Sequence, residues 1–115
     1  MANSLGVIFH VNEADPNKQR SALRNIENLL AEMPSTPVEL VIQGAAIDLV
    51  VAETSPWPQQ LEALQQQGVT VAVCGNTMKA NHLKETDLLP GMTIVPSAVG
   101  ELVRKQREGL SYVKP

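Results

Sequence analysis

Short apolar runs alternate with helical periods along this chain, and that alternation constrains the fold more than any other feature. Gly6-Val7-Ile8-Phe9-His10-Val11 is β-rich without polar alternation, as a strand buried on both faces should be. Val38-Glu39-Leu40-Val41-Ile42, Val69 to Cys74, Met92 to Val95 and Leu110 to Val113 read as four further strands. Helical stretches separate them. Asp15-Pro16 supplies an N-cap and a first helical residue, and Leu23, Ile26, Leu29, Leu30 and Met33 form one stripe until Pro34 and Pro37. Gly44 opens a short helical turn through Val51, and Leu61 and Leu64 mark a helix ending near Gly68. A short helix is expected from Asn76, then a polar loop to residue 89 and a type II turn at Pro90-Gly91. Ser97 caps a last helix with Val99, Leu102, Val103 and Gln106 as its inward stripe, closed by Gly109. Strands alternating with helices predict a three-layer α/β/α sandwich on a mainly parallel five-stranded sheet. The strand order does not follow from the sequence.

With 115 residues the chain is expected to form a single domain, 1–115, and 43% apolar residues suffice for its core. One Cys cannot close an intramolecular disulfide, and one Cys with two His is too few for a structural zinc site. Three aromatics, a net charge of −3 and scattered basic residues argue against nucleic acid as a partner. Met1-Ala2-Asn3-Ser4-Leu5 carries no basic run, the apolar stretch to Phe9 is too short for a signal core, and no segment suits a membrane span. The expected setting is the cytoplasm, where a lone thiol stays reduced. Gly-x-Gly-x-x-Gly, Gly-Lys-Ser/Thr, Cys-x-x-Cys and Gly-x-Ser-x-Gly are all missing, so no cofactor is implied.

In parallel α/β sheets ligands bind beyond the carboxyl ends of the strands. That rule selects His10 and Asn12, Gly44, Cys74-Gly75-Asn76-Thr77 and Ser97. Cys74 ends a strand just before a helix start, where unpaired N–H groups and the helix dipole lower a thiol pKa. A buried Cys packing as a small apolar residue is the competing reading. Gly75 permits a tight turn or the close approach of a ligand, and Asn76 or Thr77 can cap the helix and bond the sulfur. His10 either assists a thiolate or is anchored to Asn12 or Asp15 within its own loop. His82 reads as a surface residue. Gly44 suits a turn, and Asp15 is explained as a cap beside Glu13. Lys79 and Lys84 are placed to neutralise an anion near Cys74 or simply to be solvated. Arg104, Lys105 and Arg107 complement the dipole at a helix end.

Several stretches together resemble the small stand-alone proteins of the DsrE/DsrF-like group, relatives of sulfur-relay subunits. They are Val7-Ile8-Phe9-His10-Val11-Asn12-Glu13-Ala14-Asp15, Arg24-Asn25-Ile26-Glu27-Asn28-Leu29-Leu30, Ala72-Val73-Cys74-Gly75-Asn76-Thr77, Asp87-Leu88-Leu89-Pro90-Gly91 with Val95-Pro96-Ser97, and the ending Glu108 to Pro115. The resemblance implies a DsrEFH-like five-stranded fold, a homo-oligomer such as a trimer or hexamer, and Cys74 as the functional position. It also implies a sulfurtransferase or sulfur carrier whose thiol holds sulfane sulfur as a persulfide between donor and acceptor proteins. Two other readings stand beside it: a non-catalytic oligomeric module that binds a small molecule, and a thiol redox sensor acting through an intermolecular disulfide.

Overall fold

The computed structural model describes residues 5–115; Met1–Ser4, part of the N-terminal segment read above, lie outside the described residues. Five strands form one sheet: β1 (Val7–Val11), β2 (Val38–Ile42), β3 (Thr70–Cys74), β4 (Thr93–Val95) and β5 (Ser111–Val113). Their spatial order is β4-β3-β2-β1-β5 and every pairing is parallel. The helices are α1 (Pro16–Glu32), α2 (Pro58–Gln66), α3 (Gly75–Ala80) and α4 (Ala98–Arg107). The stretch Gly44–Val50 winds as a 3-10 helix, and a second, Glu85–Asp87, interrupts the stretch expected to be a polar loop.

The order dictates the layers. From β1 to β4 each connection steps the same way across the sheet. Right-handed crossovers therefore put α1, the 3-10 segment, α2 and α3 on one face. The chain then reverses and runs from edge strand β4 to the opposite edge, so α4 falls on the other face. Two cores result. Phe9, Val11, Leu40, Ile42, Val71 and Val73 pack against Leu23 and Ile26 of α1, Leu61 and Leu64 of α2 and Met78 of α3. The second core holds Ile8, Val41, Ala72, Cys74 and Val95 under Ala98 and Leu102 of α4. The sandwich is thus lopsided: α1, α2, α3 and the Gly44–Val50 segment, among others, cover one side, and a single ten-residue helix covers the other.

Local signals explain the helix starts. Asp15 accepts from the Asn17 N–H at 2.8 Å, and Ser97 Oγ accepts from the Gly100 N–H at 2.9 Å. Two readings are corrected. Met33 is the C-cap of α1 and largely exposed rather than the end of its stripe. In α4, Val99 and Val103 point outward, 62% and 41% exposed, and the inward residues are Ala98, Glu101 and Leu102. The stripe shifts because a charged residue, Glu101, finds partners inside.

Candidate functional site: a thiol at the reversal of the sheet

The connections leaving β3 and β4 go to opposite faces, α3 to one and α4 to the other. Between two such strands an open α/β sheet has its crevice, beyond the carboxyl ends. Cys74 is the last residue of β3, paired with Val95, the last of β4. The thiol therefore stands where the connections of two neighbouring strands diverge to opposite faces.

Cys74 is itself the N-cap residue of α3, with Gly75 as the first helical residue, so the helix starts one residue earlier than Asn76. Neither Asn76 nor Thr77 is its cap. Both still serve the sulfur. Burial pushes the thiol pKa up, but the Thr77 hydroxyl and the backbone N–H groups of Thr77, Ala98 and Asn76 together outweigh it. The net result is a thiol below its ordinary value. The Ala98 N–H lies 3.3 Å from Sγ. Donors from the first turns of α3 and α4 thus converge on one atom, an arrangement that favours a sulfur anion. The sulfur is nonetheless covered, with Cys74 only 2% exposed.

Gly44 belongs to this site. Its φ of +60° turns the chain after β2, and its N–H donates to Thr77 Oγ1 at 2.9 Å. The side-chain oxygen of Thr77 is thereby held while its O–H serves the sulfur. Gly75 serves close packing of protein, not of a ligand: a Cβ there would lie 2.8 Å from the Val95 carbonyl oxygen and 3.2 Å from that of Pro96.

His10 is built into a different cluster. Its Nε2 meets Gln43 Oε1 at 2.7 Å, and its Nδ1 meets the Tyr112 hydroxyl at 3.0 Å. With the amide oxygen as acceptor, Nε2 carries the proton and Nδ1 accepts from Tyr112. The anchors are thus Gln43 and Tyr112, rather than Asn12 or Asp15. His10 pairs with Val41, and Val41 with Ala72, two residues before Cys74. Two strand spacings and two residue rises put the His10 and Cys74 Cα atoms roughly 12 Å apart. The imidazole therefore does not reach the thiol within one chain. Asn12 is exposed at the end of β1 beside a water-sized gap shared with Lys114 and Pro115. Lys79, Lys84 and His82 are exposed, and His82 adopts a φ of 55°.

The sequence reading missed two buried acids, Glu39 on β2 and Glu101 on α4. A charged residue inside a strand otherwise buried on both faces was the available signal. Among the described residues no group of three or more His, Cys, Asp or Glu side chains is placed to hold a metal ion.

The sequence profile of the DsrE/DsrF-like family matches residues 6–115. No curated protein matches the sequence. Among solved structures, a protein of unknown function (MTH1491) from Methanobacterium thermoautotrophicum is 32% identical, with a TM-score of 0.92 over 96% of this chain and 99% of its own. The ychN protein from E. coli shares 18% identity, with a TM-score of 0.81 over 96% of this chain and 99% of its own. A conserved protein of unknown function (BT1422) from Bacteroides thetaiotaomicron shares 15% identity, with a TM-score of 0.79 over the full length of both chains. The last two likenesses concern the fold alone.

Proposed function

The chain belongs to the DsrE/DsrF-like family, and on that premise we propose that it is a sulfur-handling protein in which Cys74 accepts a sulfane sulfur and passes it on. The family is linked to sulfur relay. The observation that carries the reading here is the convergence of the Thr77 hydroxyl and the Asn76, Thr77 and Ala98 N–H groups on the Cys74 sulfur. Such donors stabilise the thiolate that attacks.

In the proposed step the Cys74 thiolate attacks the outer sulfur of a donor persulfide. The donor's S–S bond breaks, a new S–S bond forms on Cys74, and the donor leaves as a thiolate. No oxidant is consumed, because the sulfane sulfur moves at constant oxidation level. The chain has one Cys, so the acceptor is a thiol of another protein or another subunit. The chain acts as carrier or sulfurtransferase in the cytoplasm, where the thiol stays reduced. Among the described residues no helix is long and apolar enough to cross a membrane. Several copies, as a trimer or hexamer, form the working unit in this reading. Val99 and Val103, exposed one turn apart on α4, supply an apolar strip that suits such an interface.

Mass spectrometry after incubation with a sulfane-sulfur donor tests the proposal. One added sulfur on Cys74 in the folded protein is expected. An unmodified Cys74 in folded protein, beside a modified one in urea-unfolded protein, would count against it. That outcome would favour the second reading, for which burial is the observation: Cys74 packs with Val95, Ala98 and Leu102 as part of a non-catalytic module.

A further inference from the structure

A single helix lies over the face that holds Cys74, and its attachment is chemically unusual. Glu39 projects from β2 toward α4 and is 7% exposed; Glu101 projects from α4 and is 8% exposed. The two carboxyl groups lie close enough for each to shift the titration of the other. Two carboxylates are both acceptors, so one of the pair must carry a proton. The other contacts identify which. Glu101 is held below the ordinary carboxyl range, first by Glu39 itself and then, against its burial, by the Arg104 guanidinium, which donates to Glu101 Oε1 at 2.9 Å. Glu39 Oε1 lies 3.7 Å from Lys105 Nζ, and its Oε2 is buried without a donor. An oxygen so placed is satisfied by carrying a proton itself.

The one opposing influence on Glu39 among its named neighbours is Lys105, which draws it down but is outweighed by burial and Glu101. In register with Glu39 are Ile8 on β1 and Thr70 on β3. From β4 come Thr93 and Val95. His10 and the Tyr112 of β5 bond each other further along the face. The remaining charged group, Glu108, faces Lys105 at 3.9 Å.

We propose that the proton shared by Glu39 and Glu101 latches α4 onto the sheet, and that its loss frees the helix and opens the Cys74 thiol to solution. The latch regulates access to the thiol whatever the thiol carries, so it stands or falls apart from the sulfur-relay reading. The connection is direct. Ala98, the first residue of α4, both covers Cys74 and donates to its sulfur, one turn before Glu101. Burial, then the hydrogen bond and charge of Glu101, push Glu39 up to about 8 in the closed state. With the helix lifted, Glu39 returns toward its ordinary value of 4.5. Between those limits, opening becomes about tenfold more favourable with each pH unit.

The test is the rate at which iodoacetamide alkylates Cys74 in the folded protein, divided by the thiolate fraction from ultraviolet absorbance. From about pH 6 to about pH 8 the corrected rate is expected to rise at least about tenfold in the natural protein and to stay nearly flat in Glu39→Gln. Amide hydrogen exchange across α4, corrected for intrinsic rates, should rise with it. Parallel corrected rates in the two proteins, or α4 protection that does not change with pH, would overturn the latch. Should Glu39→Gln not fold, Glu101→Gln serves instead: it removes the negative partner but leaves the burial of Glu39, so the rise should be smaller than in the natural protein, and an unchanged rise would overturn the latch. A carboxyl NMR titration of the natural protein needs no variant: if Glu39 titrates with the ordinary carboxyls, below about pH 5, the latch does not exist.

Discussion

The Gly44 N–H donates to the Thr77 hydroxyl oxygen across 2.9 Å, which ties the turn after β2 to the first turn of α3. That bond fixes a hydroxyl beside the Cys74 sulfur, so a backbone turn one strand earlier in the chain sets the environment of the thiol.

Thr77→Val keeps the shape and removes the hydroxyl. The thiol pKa should rise, seen as an upward move in the midpoint of thiolate absorbance, because a bond that lowers it is lost. The stranded Gly44 N–H should add a stability loss of about 1–3 kcal/mol by urea unfolding. Thr77→Ser should restore most of both. A midpoint unchanged in Thr77→Val would remove the hydroxyl from the site.

Stability should fall as pH rises from about 4.5 toward 8. The folded-state Glu39 sits at about 8 against an ordinary 4.5, so across that window the folded chain holds a proton that the unfolded chain has released. Glu101 is depressed, so its contribution is present above its unfolded value and lost as pH falls through its lower folded value. The pair therefore stabilises most near the unfolded carboxyl range. Urea midpoints across this range check the sign, and Glu39→Gln should remove the decline on the alkaline side.

Gly75→Ala should cost about 1–3 kcal/mol, the usual penalty for overpacking. The new Cβ would lie 2.8 Å from the Val95 carbonyl oxygen, and backbone on both sides leaves little room to yield. Thermal unfolding should show the loss, with β4 the first strand to lose amide protection.

Tyr112→Phe should leave the Cys74 titration where it is. The His10–Tyr112–Gln43 cluster is closed on itself, roughly 12 Å from the thiol by strand geometry. A shifted thiol midpoint in this variant, measured on diluted monomeric protein, would mean that His10 does reach Cys74.

The sequence made the strands and most helices readable because their signals are local. Val38 to Ile42 is an uninterrupted apolar run apart from Glu39, and Asp15-Pro16 and Ser97 carry their own capping chemistry. Strand order was not readable, since it depends on which edge α4 returns to, and with it went the knowledge that Cys74 lies at the reversal. Gly44, Thr77 and Cys74 each stand out by position at strand ends, but the bond that joins Gly44 to Thr77 spans thirty-three residues. The inward face of α4 was misread for the same reason. Val99 and Val103 look like a core stripe until the partners of Glu101, supplied by β2, are in place.

The lopsided covering of the sheet has a consequence for the growing polypeptide. Strands β1, β2 and β3 and the helices of the first face are all complete by residue 80, whereas the second face waits for Ala98–Arg107 and for β5 to reach β1 across the sheet. At a synthesis rate of about 5–20 residues per second, Cys74 spends on the order of a second or more without its cover. During translation the thiol is open to small oxidants and sulfur donors, and the arrival of α4 then acts as its protecting group.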